Sequence, residues 1–206
     1  EPVDPFAALN SDPMWPDHTS NILVQRDFRK GDTDGAKAAA AAIVRDSFHM
    51  KRRTPVPMEN RCYLARYDRG HKHLTLWSST QVPGVIRDTL ADVLGMAGNA
   101  VRVVAPDVGG GFGSKIDVSI QPLLALAAMK LGRALRITYP RPESLRSTTK
   151  RHPSGMQVAI GADTEGRITG LRFDGVFDTG AYASWGPTVA NRVPVHASGP
   201  YLTPNY

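Results

Sequence analysis

The chain has 206 residues, 41% of them hydrophobic, and a formal net charge of +6; that is enough apolar content to bury the core of one domain or a little more. Its lone cysteine, Cys62, excludes an internal disulfide and any multi-cysteine zinc or iron–sulfur site, and it suits a reducing, cytoplasmic compartment. The longest apolar runs, residues 38–44 and 123–129, fall far short of the roughly 20 residues a spanning helix needs, and Glu1-Pro2-Val3-Asp4 has no signal-peptide design, so neither a membrane nor an export role is expected.

Residues 1–30 carry Pro2, Pro5, Pro13 and Pro16 with little periodicity, which reads as an extended arm or a linker from a preceding domain, with residues 31–206 as the domain proper. Asp32-Thr33-Asp34 offers N-caps for an alanine-rich helix expected over residues 35–46. Two alternating strands, residues 62–67 and 73–77, flank Asp68-Arg69-Gly70, a good hairpin loop. Pro83 then suits the first turn of a helix running to Leu94, with Val85, Ile86, Leu90, Val93 and Leu94 at helical spacing and Gly95 as its stop. A strand over residues 101–105 leads into a glycine run, and a largely apolar helix over residues 120–131 ends at Gly132. Residues 156–182 alternate around the turn Asp163-Thr164-Glu165-Gly166 and predict a two-stranded ribbon, while residues 185–206, with four prolines, read as loop. Helices and strands are mixed without strict βαβ alternation, so the expected class is α+β.

Basic residues concentrate over residues 130–151, where Arg133, Arg136, Arg141, Arg146 and Lys150 have only Glu143 as an acidic partner. A nucleic-acid surface is one reading of that stretch. It lacks interleaved aromatics apart from Tyr139 and matches no helix-turn-helix, zinc-finger or base-stacking signature, so a solvated or subunit-facing basic surface is the plainer one.

The glycine run, Gly109-Gly110-Gly111-Phe112-Gly113 followed by Ser114-Lys115, sits between a strand and a helix. Glycines admit positive φ and leave no Cβ in the way, so backbone N–H groups there can reach an anion or a metal-bound oxygen. The dinucleotide fingerprint G-x-G-x-x-G fails, because the sixth position is Ser114 counted from Gly109 and Ile116 counted from Gly111. The triphosphatase loop fails twice, at Ser114 and at Ile116. A tight turn for close strand–helix packing is the alternative to a ligand site.

The segments Trp77-Ser78-Ser79-Thr80-Gln81-Val82-Pro83, Val101-Arg102-Val103-Val104 and Gly109 through Lys115, in this order and spacing, resemble the molybdenum hydroxylases, the family of xanthine dehydrogenase, aldehyde oxidase and aerobic carbon monoxide dehydrogenase. Pro57-Met58-Glu59, Arg151-His152-Pro153, Asp178-Thr179-Gly180-Ala181-Tyr182 and Pro204-Asn205-Tyr206 extend the resemblance over nearly the whole chain. It implies the first part of a molybdopterin-binding domain, a molybdenum–pterin cofactor in a dinucleotide form, and hydroxylation of an aldehyde or N-heterocycle with water as oxygen source. In such enzymes the glutamine of the Thr-Gln step reaches an oxygen or sulfur ligand on the metal, and the matching residue is Gln81; a neutral amide can donate to such a ligand without adding charge. Gly110, Gly111, Phe112 and Gly113 inherit a cofactor-binding role, with Phe112 approaching the metal through its main chain. Capping of the following helix is the other use for Gln81, and core packing the other use for Phe112.

The resemblance also implies what lies elsewhere. The family's glutamate base, in a Gly-Gly-x-Gly-Glu motif, has no counterpart in this sequence, so no catalytic residue is assigned and the chain is expected to be a fragment of a large subunit or one part of a split one. Iron–sulfur clusters and FAD would sit on partner chains or domains, since one cysteine holds no cluster. Ile116 follows Lys115 where purine-oxidising members carry a glutamate, which argues against a purine substrate, and Pro55 stands where a histidine is familiar. His49, His71, His73, His152 and His196 are scattered singly and suggest no metal set. The rival from another class is a metal-free anion-binding or assembly module that uses the basic stretch.

Overall fold

The computed structural model describes residues 4–206. In chain order its elements are helices and strands α1 (Pro5–Ala8), α2 (Thr33–Ala39), β1 (Ala42–Met50), β2 (Cys62–Asp68), β3 (His73–Ser78), α3 (Pro83–Leu94), β4 (Val101–Val104), α4 (Gln121–Leu131), β5 (Leu135–Thr138), α5 (Arg141–Ser147), β6 (Ser154–Ala162), β7 (Ile168–Phe177) and α6 (Gly186–Val195). Two sheets with flanking helices make the chain α+β, as expected. The chain forms two compact units, one of Thr54–Arg151 and one of the flanking residues, up to Arg53 and from His152.

The Thr54–Arg151 unit is built on a sheet of order β4-β3-β2-β5. The expected hairpin is present, with Ala65 opposite Leu76; its turn closes where Asp68 Oδ1 accepts the N–H groups of Gly70 at 2.9 Å and His71 at 3.1 Å. β4 lies parallel to β3, Leu76 opposite Val103, so α3 is the crossover helix a parallel pair requires. Pro83 opens α3 and Gly95, left-handed at φ 63°, closes it; Gly132, at φ 66°, closes α4 in the same way. Ile86 and Leu90 of α3 and Leu124, Ala125 and Ala128 of α4 pack with Tyr63, Leu74 and Leu76 of the sheet. Each large apolar side chain so buried stabilises by about 1.5–3 kcal/mol. Because β3 and β4 are neighbours running in one direction, the loops that leave their C-terminal ends emerge side by side, the usual place for a ligand in such sheets.

In the other unit the antiparallel order is β1-β6-β7, with Val44 opposite Ile160 and Ile160 opposite Leu171. The expected ribbon is β6 and β7. The helix expected over residues 35–46 is corrected: α2 stops at Ala39 and β1 begins at Ala42. Asp32 does cap α2, its Oδ1 accepting from Gly35 N at 2.9 Å, but Ile43 and Val44 are β-branched and pair with β6, and that tertiary ladder overrides the alanine propensity. The loop expected over residues 185–206 is also corrected, since Gly186–Val195 is helical; Pro187 sits in its first turn, where no N–H is needed, and Pro194 falls at its last turn. Within the basic stretch of residues 130–151, the chain forms β5 and α5.

Candidate cofactor-binding site

The loop after β3 carries Ser79, Thr80 and Gln81, and the loop after β4 carries the glycine run. Gln81 Oε1 accepts the N–H of Gly113 at 3.0 Å and that of Lys115 at 3.3 Å. Its main chain joins the same strip: Gln81 N donates to Lys115 O at 3.0 Å, and the Thr80 hydroxyl donates to that oxygen at 3.0 Å. The side chain lies so close to the loop that Gly111 has no room for a β-carbon, which would stand 2.3 Å from Gln81 Oε1.

At the other end of the run, Glu59 holds Gly109 twice. Its N–H donates to Gly109 O at 3.1 Å, and its Oε2 accepts from Gly109 N at 2.9 Å. The same Oε2 accepts from the Ser79 hydroxyl at 2.8 Å and from Lys115 Nζ at 2.6 Å. Burial works against the carboxylate charge, but the Lys115 ammonium, the Ser79 hydroxyl and the Gly109 N–H together outweigh it and hold Glu59 below the ordinary carboxylate range. The turn itself is tight: the N–H and hydroxyl of Ser114 both donate to Gly111 O, at 2.9 and 2.8 Å. Ser114 O accepts from the buried Arg61 guanidinium and from the Thr149 hydroxyl.

Gly110 and Gly113 take φ of 95° and 81°, and between them Phe112 also takes a positive φ, 53°. A non-glycine residue there costs about 1–2 kcal/mol, and Phe112 is 60% exposed, so core packing does not account for it. With the loop's other N–H groups donating to Glu59, Gln81 and the loop itself, three donors remain. Gln81 Nε2 and the N–H groups of Gly111 and Phe112 donate to no residue among those described. The arrangement can hold an acceptor-rich ligand, such as the oxygens of an anion or a metal–oxygen group, against a neutral surface.

Gln81 and the glycine run, expected from the sequence as site residues, are in contact in the fold. Glu59 was not expected there: it stands in Pro57-Met58-Glu59, and a partner 56 positions away leaves no local periodicity to read. The histidines do not converge: among the described residues no group of three or more His, Cys, Asp or Glu could hold a metal ion. No described helix is long and apolar enough to cross a membrane.

Residues 14–206 match the family model described as the molybdopterin cofactor-binding domain. The chain is 35% identical over 186 residues to the nicotinate dehydrogenase large molybdopterin subunit of Eubacterium barkeri, covering 90% of this chain and 44% of that one. It is 32% identical over 182 residues to the nicotine 6-hydroxylase large subunit of Paenarthrobacter nicotinovorans, covering 87% and 22%. The solved aldehyde oxidoreductase of Desulfovibrio gigas superposes with a TM-score of 0.87 at 26% identity, over 98% of this chain and 22% of that one. The chain thus spans less than half the length of these relatives, and the metal-free assembly reading gains nothing from them. This chain belongs to the molybdopterin cofactor-binding domain family.

Proposed function

We propose that the chain supplies the part of a molybdenum hydroxylase that orients the ligand sphere of its cofactor, within a longer subunit or together with a second molybdopterin chain. The observation that carries this reading is the division of labour at Gln81: its amide oxygen is tied to Gly113 and Lys115, which leaves Nε2 to donate outward. An amide anchored at one end presents its two N–H groups in a fixed direction, and a neutral donor suits an oxygen or sulfur ligand on molybdenum. The free N–H groups of Gly111 and Phe112 extend that surface, and Gly110 and Gly113 give the main chain its close approach. When bound, the molybdenum–pterin group supplies two-electron oxidation and activates a water-derived oxygen.

The proton-transferring base is not among these residues; Gln81 and the Phe112 loop orient ligands. The reaction class is hydroxylation of an aldehyde, an N-heterocycle or a similar small molecule with water as oxygen source, and Ile116 beside Lys115 favours substrates other than purines. A dinucleotide form of the pterin, with iron–sulfur clusters and FAD on partner chains, completes the reading, as does the division into an arm over residues 1–30 and the domain proper over residues 31–206. The test is molybdenum and pterin content of the enzyme that contains this chain, before and after Gln81→Ala. Stoichiometric molybdenum in the parent with a fall of about tenfold or more in turnover for the variant supports the reading; a metal-free parent, or a variant with metal and turnover unchanged, overturns it.

A further inference from the structure

We infer that Lys115 and Glu59 are a positioning pair that sets the glycine loop against Gln81. The inference rests on the cofactor reading for its consequence and on geometry for its existence. Lys115 is the last residue of the run, and its side chain is wholly buried, with 0% exposure. The side chain runs back beneath the loop to Glu59, which grips the first glycine of the run, Gly109. The main chain of Lys115 meanwhile receives Gln81 N and Thr80 Oγ1 at its carbonyl and gives its N–H to Gln81 Oε1. One residue therefore ties the start of the loop, the end of the loop and the metal-facing glutamine together.

Stability alone is a weak reason for such a pair. Burying the Lys115 ammonium carries a desolvation cost, which its attraction to a Glu59 side chain still 31% exposed offsets only in part, and an apolar pair of similar volume often does as well or better. What an apolar pair cannot supply is the acceptor for Gly109 N and Ser79 Oγ. Both are satisfied by the oxygen that binds Lys115. Gly109 also depends on the contact, because a β-carbon there would stand 2.6 Å from Glu59 Cβ. The pair fixes where Gly111, Phe112 and Gln81 present their free donors, and it does so without touching the ligand.

The experiment compares Lys115→Met, Glu59→Gln and the double variant Glu59→Met/Lys115→Met in the assembled enzyme, with amide hydrogen exchange, melting temperature and molybdenum content read on each. Lys115→Met is expected to raise exchange about tenfold at Gly109, Gly113 and Lys115 while the β2–β3 ladder stays protected. Glu59→Gln, which keeps an acceptor for Gly109, is expected to do less. The double variant is expected to recover the melting temperature and to recover neither loop protection nor molybdenum content. A double variant that recovers all three makes the pair a stabiliser only and overturns the inference, as does exchange that rises equally throughout the Thr54–Arg151 unit. If the parent enzyme holds no molybdenum the cofactor reading fails, while the exchange pattern still decides for or against the pair.

Discussion

A β-carbon placed on Gly111 would stand 2.3 Å from Gln81 Oε1 and 2.5 Å from its Cδ. The Gly111 φ lies outside the left-handed range, so alanine meets no backbone strain there; the clash is with the Gln81 side chain. Gly111→Ala is therefore expected to push the amide off Gly113 and Lys115, at a cost of about 1–2 kcal/mol for the two hydrogen bonds. Urea unfolding measures that loss, and amide exchange at Gly113 and Lys115 locates it. Under the proposed function, molybdenum content falls further than the stability change explains, because the donor on Nε2 loses its direction.

Elements bounded by their own punctuation were legible from the sequence. Pro83 and Gly95 frame α3 and Gly132 ends α4, each through a conformation that the residue itself imposes, and Asp68 turns the hairpin through a side chain that accepts from the backbone just after it. β1 was not legible, because its neighbours are alanines and its reason for being a strand is β6, over a hundred positions on. The site divides the same way. Gln81 and the glycine run stand out as motifs in place, whereas Glu59 matters through Ser79, Gly109 and a buried lysine 56 residues away, contacts that only the fold brings together.

Glu59 gives the site an acid limit. Its carboxyl is held below the ordinary range in the folded chain, so the stability it contributes is present above the unfolded-state value, about 4.3, and is lost as pH falls through the lower folded value. Loss of protection at Gly109 should therefore set in under acid conditions and track protonation of Glu59. Exchange followed from neutral pH into the acid range checks it, and Glu59→Gln should flatten that part of the profile, since an amide does not titrate there. A Gly109 profile unchanged in Glu59→Gln would assign the acid transition to other carboxyls.

Phe112 sets backbone comfort against use. Its φ of 53° suits glycine, and the residue is 60% exposed, so Phe112→Gly relieves strain while removing little packing. Part of that relief returns as added freedom of the unfolded chain. The melting temperature is expected to hold or rise slightly, while cofactor retention in the assembled enzyme drops. A variant that loses stability in step with retention would place the ring in the packing of the unit rather than at the cofactor.

Two glycines at the ends of α3 test the helix itself, with opposite signs. A β-carbon added at Gly84 or at Gly95 would meet no atom within 4 Å, but only Gly95 has a positive φ. Alanine at Gly84 lowers the entropy of the unfolded chain and meets no neighbour, so Gly84→Ala should stabilise by about 0.5 kcal/mol, near the low end because it lies in the first turn. Alanine at Gly95 must hold the left-handed C-cap, so Gly95→Ala should destabilise by about 1 kcal/mol. Denaturant midpoints with unchanged m-values measure both. Equal effects at the two positions would mean that Gly95 does not close the helix in the left-handed conformation, and the turn that carries the chain from α3 toward β4 and the glycine loop would have to be redrawn.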